Sequence, residues 1–204
     1  VNTEGKEVPA GAELDPGERA RADIYRLLAA LLVGPPDQAL LELLGNLEAE
    51  ATAGTAMNAA WQGLHAAAEN SGVQEVEQEY FNLFIGLGRG ELVPYASWYE
   101  HGVLMEKLLA SLRNELAGLG FERRDGVSEP EDHVAALCEM MGMIICDSEL
   151  FLRQTTFFET YLDCWMGRFF VDLSEAETAV FYKAVGRLGQ QFMDLERQYF
   201  SLPA

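Results

Sequence analysis

Apolar residues recur every three to four positions along most of the chain, and no stretch shows sustained apolar–polar alternation. That spacing lays the apolar residues along one stripe of a helix and predicts an all-α protein. Val and Ile are sparse beside Leu and Ala, in keeping with the absence of strand signals. Residues 1–14 read as a loose tail. Asp15 is a helix cap, with Pro16 at the first position and Glu18 three residues after the cap. Ala20, Ile24, Leu27, Leu28 and Leu31 give that helix one apolar face, and Gly34-Pro35-Pro36 ends it.

The same reasoning predicts helices over 37–47, 55–69, 73–85, 102–116, 128–151 and 156–170, and a last one reaching residue 200. Ser128 with Glu131, and Ser174 with Glu177, have the spacing of capping boxes. The total is roughly eight to ten helices. No long linker, low-complexity run or internal repeat divides them, so residues 15–204 form one compact helical domain, with a hinge expected near 86–102.

Composition narrows the function. The chain has 204 residues, 49% of them hydrophobic, which permits a sizeable core. Its net charge is -19, from 33 acidic and 14 basic residues. Phosphate binding needs a basic surface, so nucleic acid is not an expected partner. A basic partner would be steered toward such a surface, although acidity also serves solubility alone. Three cysteines, Cys138, Cys146 and Cys164, show no CxxC spacing and read as small hydrophobes in apolar helices of a reducing compartment. No run approaches the ~18 apolar residues of a membrane span, and no signal-peptide core precedes the first helix. The expected location is the cytoplasm, without membrane insertion.

Signatures of catalysis are missing from the sequence. The Gly5-Lys6 pair lacks the upstream glycine of a phosphate loop. His65, His101 and His133 follow Gln62, Trp98 and Pro130 by three, so no Glu-x-x-His pair can build a di-iron site. Cys138 and His133 are five apart, a spacing that does not bring side chains together on a helix. No enzyme activity, metal or cofactor is expected.

Two segments carry more information. Glu79–Tyr99 holds six aromatic residues and the glycines Gly86, Gly88 and Gly90. Tyr80, Leu83 and Phe84 have helical spacing and suit a core, and Tyr95, Trp98 and Tyr99 could simply cover it. The functional alternative is an apolar groove for a peptide. The second segment is Glu129-Pro130-Glu131-Asp132-His133. Acids in a first helical turn complement the helix dipole, which accounts for Glu129 and Glu131. With Ser128 and Glu131 supplying the cap, Asp132 and His133 are left for a site.

Tyr80-x-x-Leu83-Phe84-x-Gly86 with Pro94-Tyr95-x-Ser97-x-Tyr99, followed by Glu129-Pro130-x-Asp132-His133 and a helix with Met140 and Met141, resembles the TorD/DmsD/NarJ family of cytoplasmic redox-enzyme maturation chaperones. The resemblance extends to length, acidity, helical pattern and motif order. It implies the family's all-α TorD-like fold. It implies a chaperone that binds the apo catalytic subunit of a molybdopterin oxidoreductase, through a twin-arginine signal peptide, before cofactor insertion and export. By the same resemblance, Tyr80, Phe84, Gly86, Pro94, Tyr95, Ser97 and Tyr99 frame the binding region, and Asp132 and His133 line it from the facing helix. The chain departs from the commonest pattern at Tyr95, where a proline or tryptophan is often found. A non-exported molybdoenzyme as client, or an adaptor role without chaperoning, stays open, as does a homodimer formed by domain swapping about the glycine loop.

Overall fold

The computed structural model describes residues 14–46, 54–103, 106–121 and 130–202, and the tail at 1–13 lies outside them. Ten α-helices follow one another among these residues: α1 Pro16–Val33, α2 Gln38–Gly45, α3 Ala56–Glu69, α4 Val73–Tyr80, α5 Ala96–His101, α6 Glu106–Gly118, α7 Val134–Cys146, α8 Gln154–Tyr161, α9 Met166–Glu175 and α10 Phe181–Ser201. A π turn, Phe81–Ile85, extends α4, and a 3₁₀ turn, Phe151–Arg153, precedes α8. No strand occurs among the described residues, so the all-α expectation holds.

The centre of the molecule is α1 against α7, and α10 against α9 and α3. Gly142 allows α1 and α7 to approach, since a Cβ there would sit 3.3 Å from the Ala22 carbonyl oxygen. Gly189 does the same for α10 under the Phe170 ring, where a Cβ would lie 2.3 Å from a ring carbon. Trp165, Phe157, Phe158, Phe169, Phe170, Phe181 and Phe192 fill the space between these helices. Each such side chain contributes about 1.5–3 kcal/mol through removal from water.

Local signals predicted α1 well. Asp15 accepts the Gly17 N–H at 2.8 Å, and Pro16 opens the helix. Its buried face, however, is centred on Ala22, Tyr25, Leu28 and Leu32, while Ala20 is exposed and Ile24 and Leu27 are half-buried. Polar contacts lie on the same side. Arg21 donates to Glu196 at 2.6 and 2.7 Å, to Glu18 at 2.5 Å and to Gln154 at 2.9 Å, and Tyr25 donates to Glu196 at 2.9 Å. Burial alone would depress the Arg21 guanidinium, but the carboxylates of Glu196 and Glu18 hold it firmly protonated. This knot ties α1 to α8 and α10 beside its apolar face of Ala22, Tyr25, Leu28 and Leu32.

Other boundaries differ from the sequence pattern. Residues 96–101 form a separate short helix, and of the helix expected from 102 the described part is Glu106–Gly118, with 102 and 103 outside it and 104–105 outside the described residues. The helix expected from Ser128 begins at Val134, and Ser128 lies outside the described residues. The 156–170 helix is broken by a turn at 162–165, where the Trp165 indole N–H donates to the Tyr161 carbonyl at 2.8 Å. Ser174 does not cap α10. It lies inside α9, with its hydroxyl donating to the Val171 carbonyl at 2.8 Å. The cysteines are also less uniform than expected: Cys138 is buried in α7, but Cys146 and Cys164 are exposed, and Cys164 sits in the turn before α9.

Candidate functional site

The aromatic segment starts as a helix end and is locked into a loop. The Gly86 N–H donates to the Phe81 carbonyl at 2.7 Å, closing the wide π turn. Gly86 has φ +60°, and a Cβ there would stand 2.1 Å from the Arg89 carbonyl oxygen, so only glycine fits. The chain then folds back, with Glu91 N–H on the Asn82 carbonyl at 3.2 Å and Leu92 N–H on the Leu83 carbonyl at 2.8 Å. The loop holds Leu87 99% exposed and Ile85 54% exposed. The Arg89 guanidinium lies 4.4 Å from the centre of the Trp98 ring, joining the glycine loop to α5.

Two carboxylates pin this segment to the start of α10. Glu79 accepts the N–H groups of Val180 at 2.8 Å, Phe181 at 3.0 Å and Tyr182 at 2.7 Å. These are donors that a helix cannot satisfy itself, so Glu79 caps α10 from another helix. Glu91 accepts from Glu177 N–H at 2.6 Å, Thr178 N–H at 3.1 Å and the Thr178 hydroxyl at 2.5 Å. Partial burial works against the Glu91 carboxylate, but these donors and Lys183 win and hold it below the usual carboxylate range.

Tyr80 and Phe84 face inward from this frame. Their rings lie 4.9 Å apart, and Tyr182 is 5.9 Å from Tyr80 and 5.6 Å from Phe84. Tyr80 donates to the Leu32 carbonyl at 3.2 Å and Tyr182 to that of Leu31 at 2.9 Å, which satisfies the last turn of α1. Tyr80 is buried and Phe84 half-buried. Burial, followed by the neighbouring Tyr80 and Glu79, pushes the Tyr182 phenol well up.

The second half of the segment meets the acidic motif through the backbone. Val134 N–H donates to the Pro94 carbonyl at 2.9 Å and Ala96 N–H to the Asp132 carbonyl at 3.0 Å, an antiparallel bridge between Tyr95 and His133. The Tyr95 and His133 rings stand edge to face at 5.1 Å. His133 caps α7, its Nδ1 accepting the Ala135 N–H at 3.2 Å. Asp132 is fully buried, and its Oδ2 accepts the Ser97 N–H at 3.1 Å and the Ser97 hydroxyl at 2.7 Å. Both residues therefore do capping work, where the sequence pattern had assigned the cap to Ser128 and Glu131. Glu131 pairs with Arg113 at 2.9 Å.

Tyr99 points elsewhere. Its ring lies 5.5 Å from Trp165 and 5.9 Å from Phe169, and its hydroxyl donates to Asp172 at 2.8 Å. It borders a cleft of about 420 Å³ between α5, α9 and α10, lined also by Arg168, Val171, Asp172, Asp194 and Arg197. The nine residues singled out in the sequence thus form three groups along one folded segment. Pro94, Tyr95 and Ser97 join Asp132 and His133; Tyr80 and Phe84 join Tyr182; Tyr99 turns toward α9. Gly86 sets the loop between them. Glu79, Glu91 and Tyr182 were not singled out, because their partners lie far away in the sequence. Among the described residues no cluster of His, Cys, Asp and Glu could hold a metal ion, and no helix is long and apolar enough to cross a membrane.

An all-helical chain with these two motifs in backbone contact has the architecture of a redox-enzyme maturation chaperone. Residues 50–171 match the model of the nitrate reductase delta subunit family, and the chain belongs to that family. Among similar proteins are chaperone proteins TorD. That of Shewanella loihica is 26% identical, over 89% of this chain and 93% of its own length. That of Aliivibrio fischeri is 26% identical, over 93% and 98%. That of Vibrio parahaemolyticus is 28% identical over a shorter alignment, 64% of this chain and 66% of the relative. The fold is also that of a crystal structure assigned to a redox enzyme maturation protein from Archaeoglobus fulgidus, with a TM-score of 0.52 and 18% identity over 92% of this chain and 99% of that one. These relatives are named as chaperones and not as enzymes, in agreement with the reading of the sequence.

Proposed function

We propose that this chaperone binds the apo catalytic subunit of a molybdopterin oxidoreductase through its twin-arginine signal peptide, in the cytoplasm, before cofactor insertion and export. The observation that carries the reading is the Tyr95–His133 bridge, which puts the two family motifs in contact beside a loop that holds Leu87 fully in solvent. A signal peptide has a basic front and an apolar middle. The apolar side chains Ile85 and Leu87 are exposed on this segment, and the chain carries a net charge of -19.

The nine motif residues divide by exposure. Half-buried Phe84, Tyr95 and Tyr99 touch the peptide, while buried Tyr80, Pro94, Ser97, Asp132 and His133, with Gly86, shape the surface from beneath. The test is titration with a synthetic peptide carrying two consecutive arginines and an apolar stretch. Saturable binding that weakens when the arginines become alanine supports the reading, and equal binding of both peptides ends it. Pull-down from native cells separates the remaining client assignments: apo-subunit marks a chaperone, mature holoenzyme an adaptor. A swapped homodimer hinging near 86–102 belongs to the same reading. It would have to release the Glu91 contacts with Thr178 or the Pro94–Val134 bond, and concentration-dependent size measurements test it.

A further inference from the structure

Asp132 is the buried acid of the motif, and its two oxygens are used unequally. Oδ2 holds Ser97 twice, at the backbone N–H and at the hydroxyl. Oδ1 has no hydrogen-bond partner among the described residues, and the residue has no solvent exposure. A fully covered carboxylate cannot meet a client arginine unless the surrounding chain opens. What it does reach is the first turn of α5, the helix that carries Trp98 and Tyr99. The bond between Ala96 N–H and the Asp132 carbonyl runs in the same direction, so backbone and side chain of one residue together fix where α5 begins.

We propose that Asp132 is a positioning residue: it sets the course of residues 95–99 through Ser97, and its negative charge is not what the client reads. This rests on the proposed peptide-binding function, and it removes Asp132 from the contact surface. Asparagine can keep an oxygen on Ser97 and place its amide nitrogen where Oδ1 has no partner among the described residues. Charge and clamp are therefore separable by one substitution.

The experiment compares Asp132→Asn, Asp132→Ala and Ser97→Ala with the unmodified protein. Two readouts are used: affinity for the twin-arginine peptide, and hydrogen-exchange protection of the amides at 96–98. Asp132→Asn is expected to stay within about two-fold in affinity, with the salt dependence of association unchanged and protection retained. Asp132→Ala is expected to lose about ten-fold or more in affinity, together with protection, and Ser97→Ala to fall between. Loss of affinity in Asp132→Asn with protection intact overturns the proposal, because the charge would then be read directly. Unchanged affinity in Asp132→Ala overturns it as well. If the unmodified protein binds no such peptide, the proposed function fails on its own. Exchange protection then decides the positioning role: retained in Asn and lost in Ala supports it, and any other pattern refutes it.

Discussion

Glu79 and Asp132 are both acids that reach across the chain to cap a helix they do not belong to. Glu79 uses both oxygens on three N–H groups of α10, a helix of 21 residues in the core. Asp132 uses one oxygen on α5, a helix of 6 residues at the surface, and leaves the other without a partner among the described residues. A fully satisfied cap on a long buried helix holds the fold together. A half-satisfied cap on a short helix fixes the shape of a surface. Under the proposed function, two acids of similar burial divide between stability and recognition according to what they cap.

Removing each cap should separate the two roles. Glu79→Ala leaves three N–H groups at the start of α10 without this acceptor, those of Phe181 and Tyr182 buried and that of Val180 partly open to water. At about 1–3 kcal/mol for each unsatisfied group, a loss of about 3 kcal/mol or more in urea unfolding is expected, with peptide affinity of the folded fraction unchanged. A change below 1 kcal/mol would mean that water replaces Glu79 and that the contrast with Asp132 is false.

Gly86→Ala tests the loop between the two acids. Its Cβ would overlap the Arg89 carbonyl, and its φ is unfavourable for any other residue, so about 2 kcal/mol of strain is expected. Peptide affinity should fall with it, because the loop must shift. An alanine variant with wild-type melting and affinity would show that the loop geometry is not required.

Glu91→Ala removes a solvent-exposed clamp and should cost below ~1 kcal/mol. Its carboxyl sits below the usual range, so the clamp contributes above the ordinary Glu value near 4.3 and is lost as pH falls through the lower folded value. Wild type minus variant stability, followed from pH 7 to pH 3, should shrink toward zero. A difference that grows on acidification reverses the sign and refutes the assignment.

The smallest effect concerns reactivity, not stability. Cys164 is exposed as a residue, but partial burial of its thiol, and the Glu100 carboxylate that accepts the S–H at 3.0 Å, push that thiol up to about 12. Alkylation of Cys164 at pH 8 should be slow, and Glu100→Gln should speed it several-fold because the anion opposing the thiolate is gone. Equal rates in both proteins would show that Glu100 does not govern the site.

What could be read in the sequence follows from the range of the forces involved. Asp15-Pro16, the glycine and proline stop after α1, and the apolar periodicity are local, and they placed the start of α1 and the bodies of α2, α3 and α4. The meeting of Pro94–Ser97 with Asp132–His133 came from a family resemblance, since no local signal pairs those segments. The cap of α10 was misassigned to Ser174 because a serine and glutamate at the right spacing look like a box, whereas the acceptor is Glu79, about a hundred residues earlier. The apolar face of α1 was read in part: Leu28 and Leu31 are buried and Ile24 and Leu27 pack against the core, but Ala20 is exposed, and the Arg21–Glu196 pair is brought together only by the folded chain.

Glu79 and Glu91 stand on either side of the glycine loop and plug into the same end of α10, so the span between them has a fixed contour length. An inserted or deleted residue would pull one anchor out. Leu87, by contrast, is 99% exposed on that span, and exchanging it should move stability by no more than about 0.5 kcal/mol. The loop is a mount of set length with an interchangeable tip, so natural variation or a selection experiment can change the tip while the helical body beneath it stays the same.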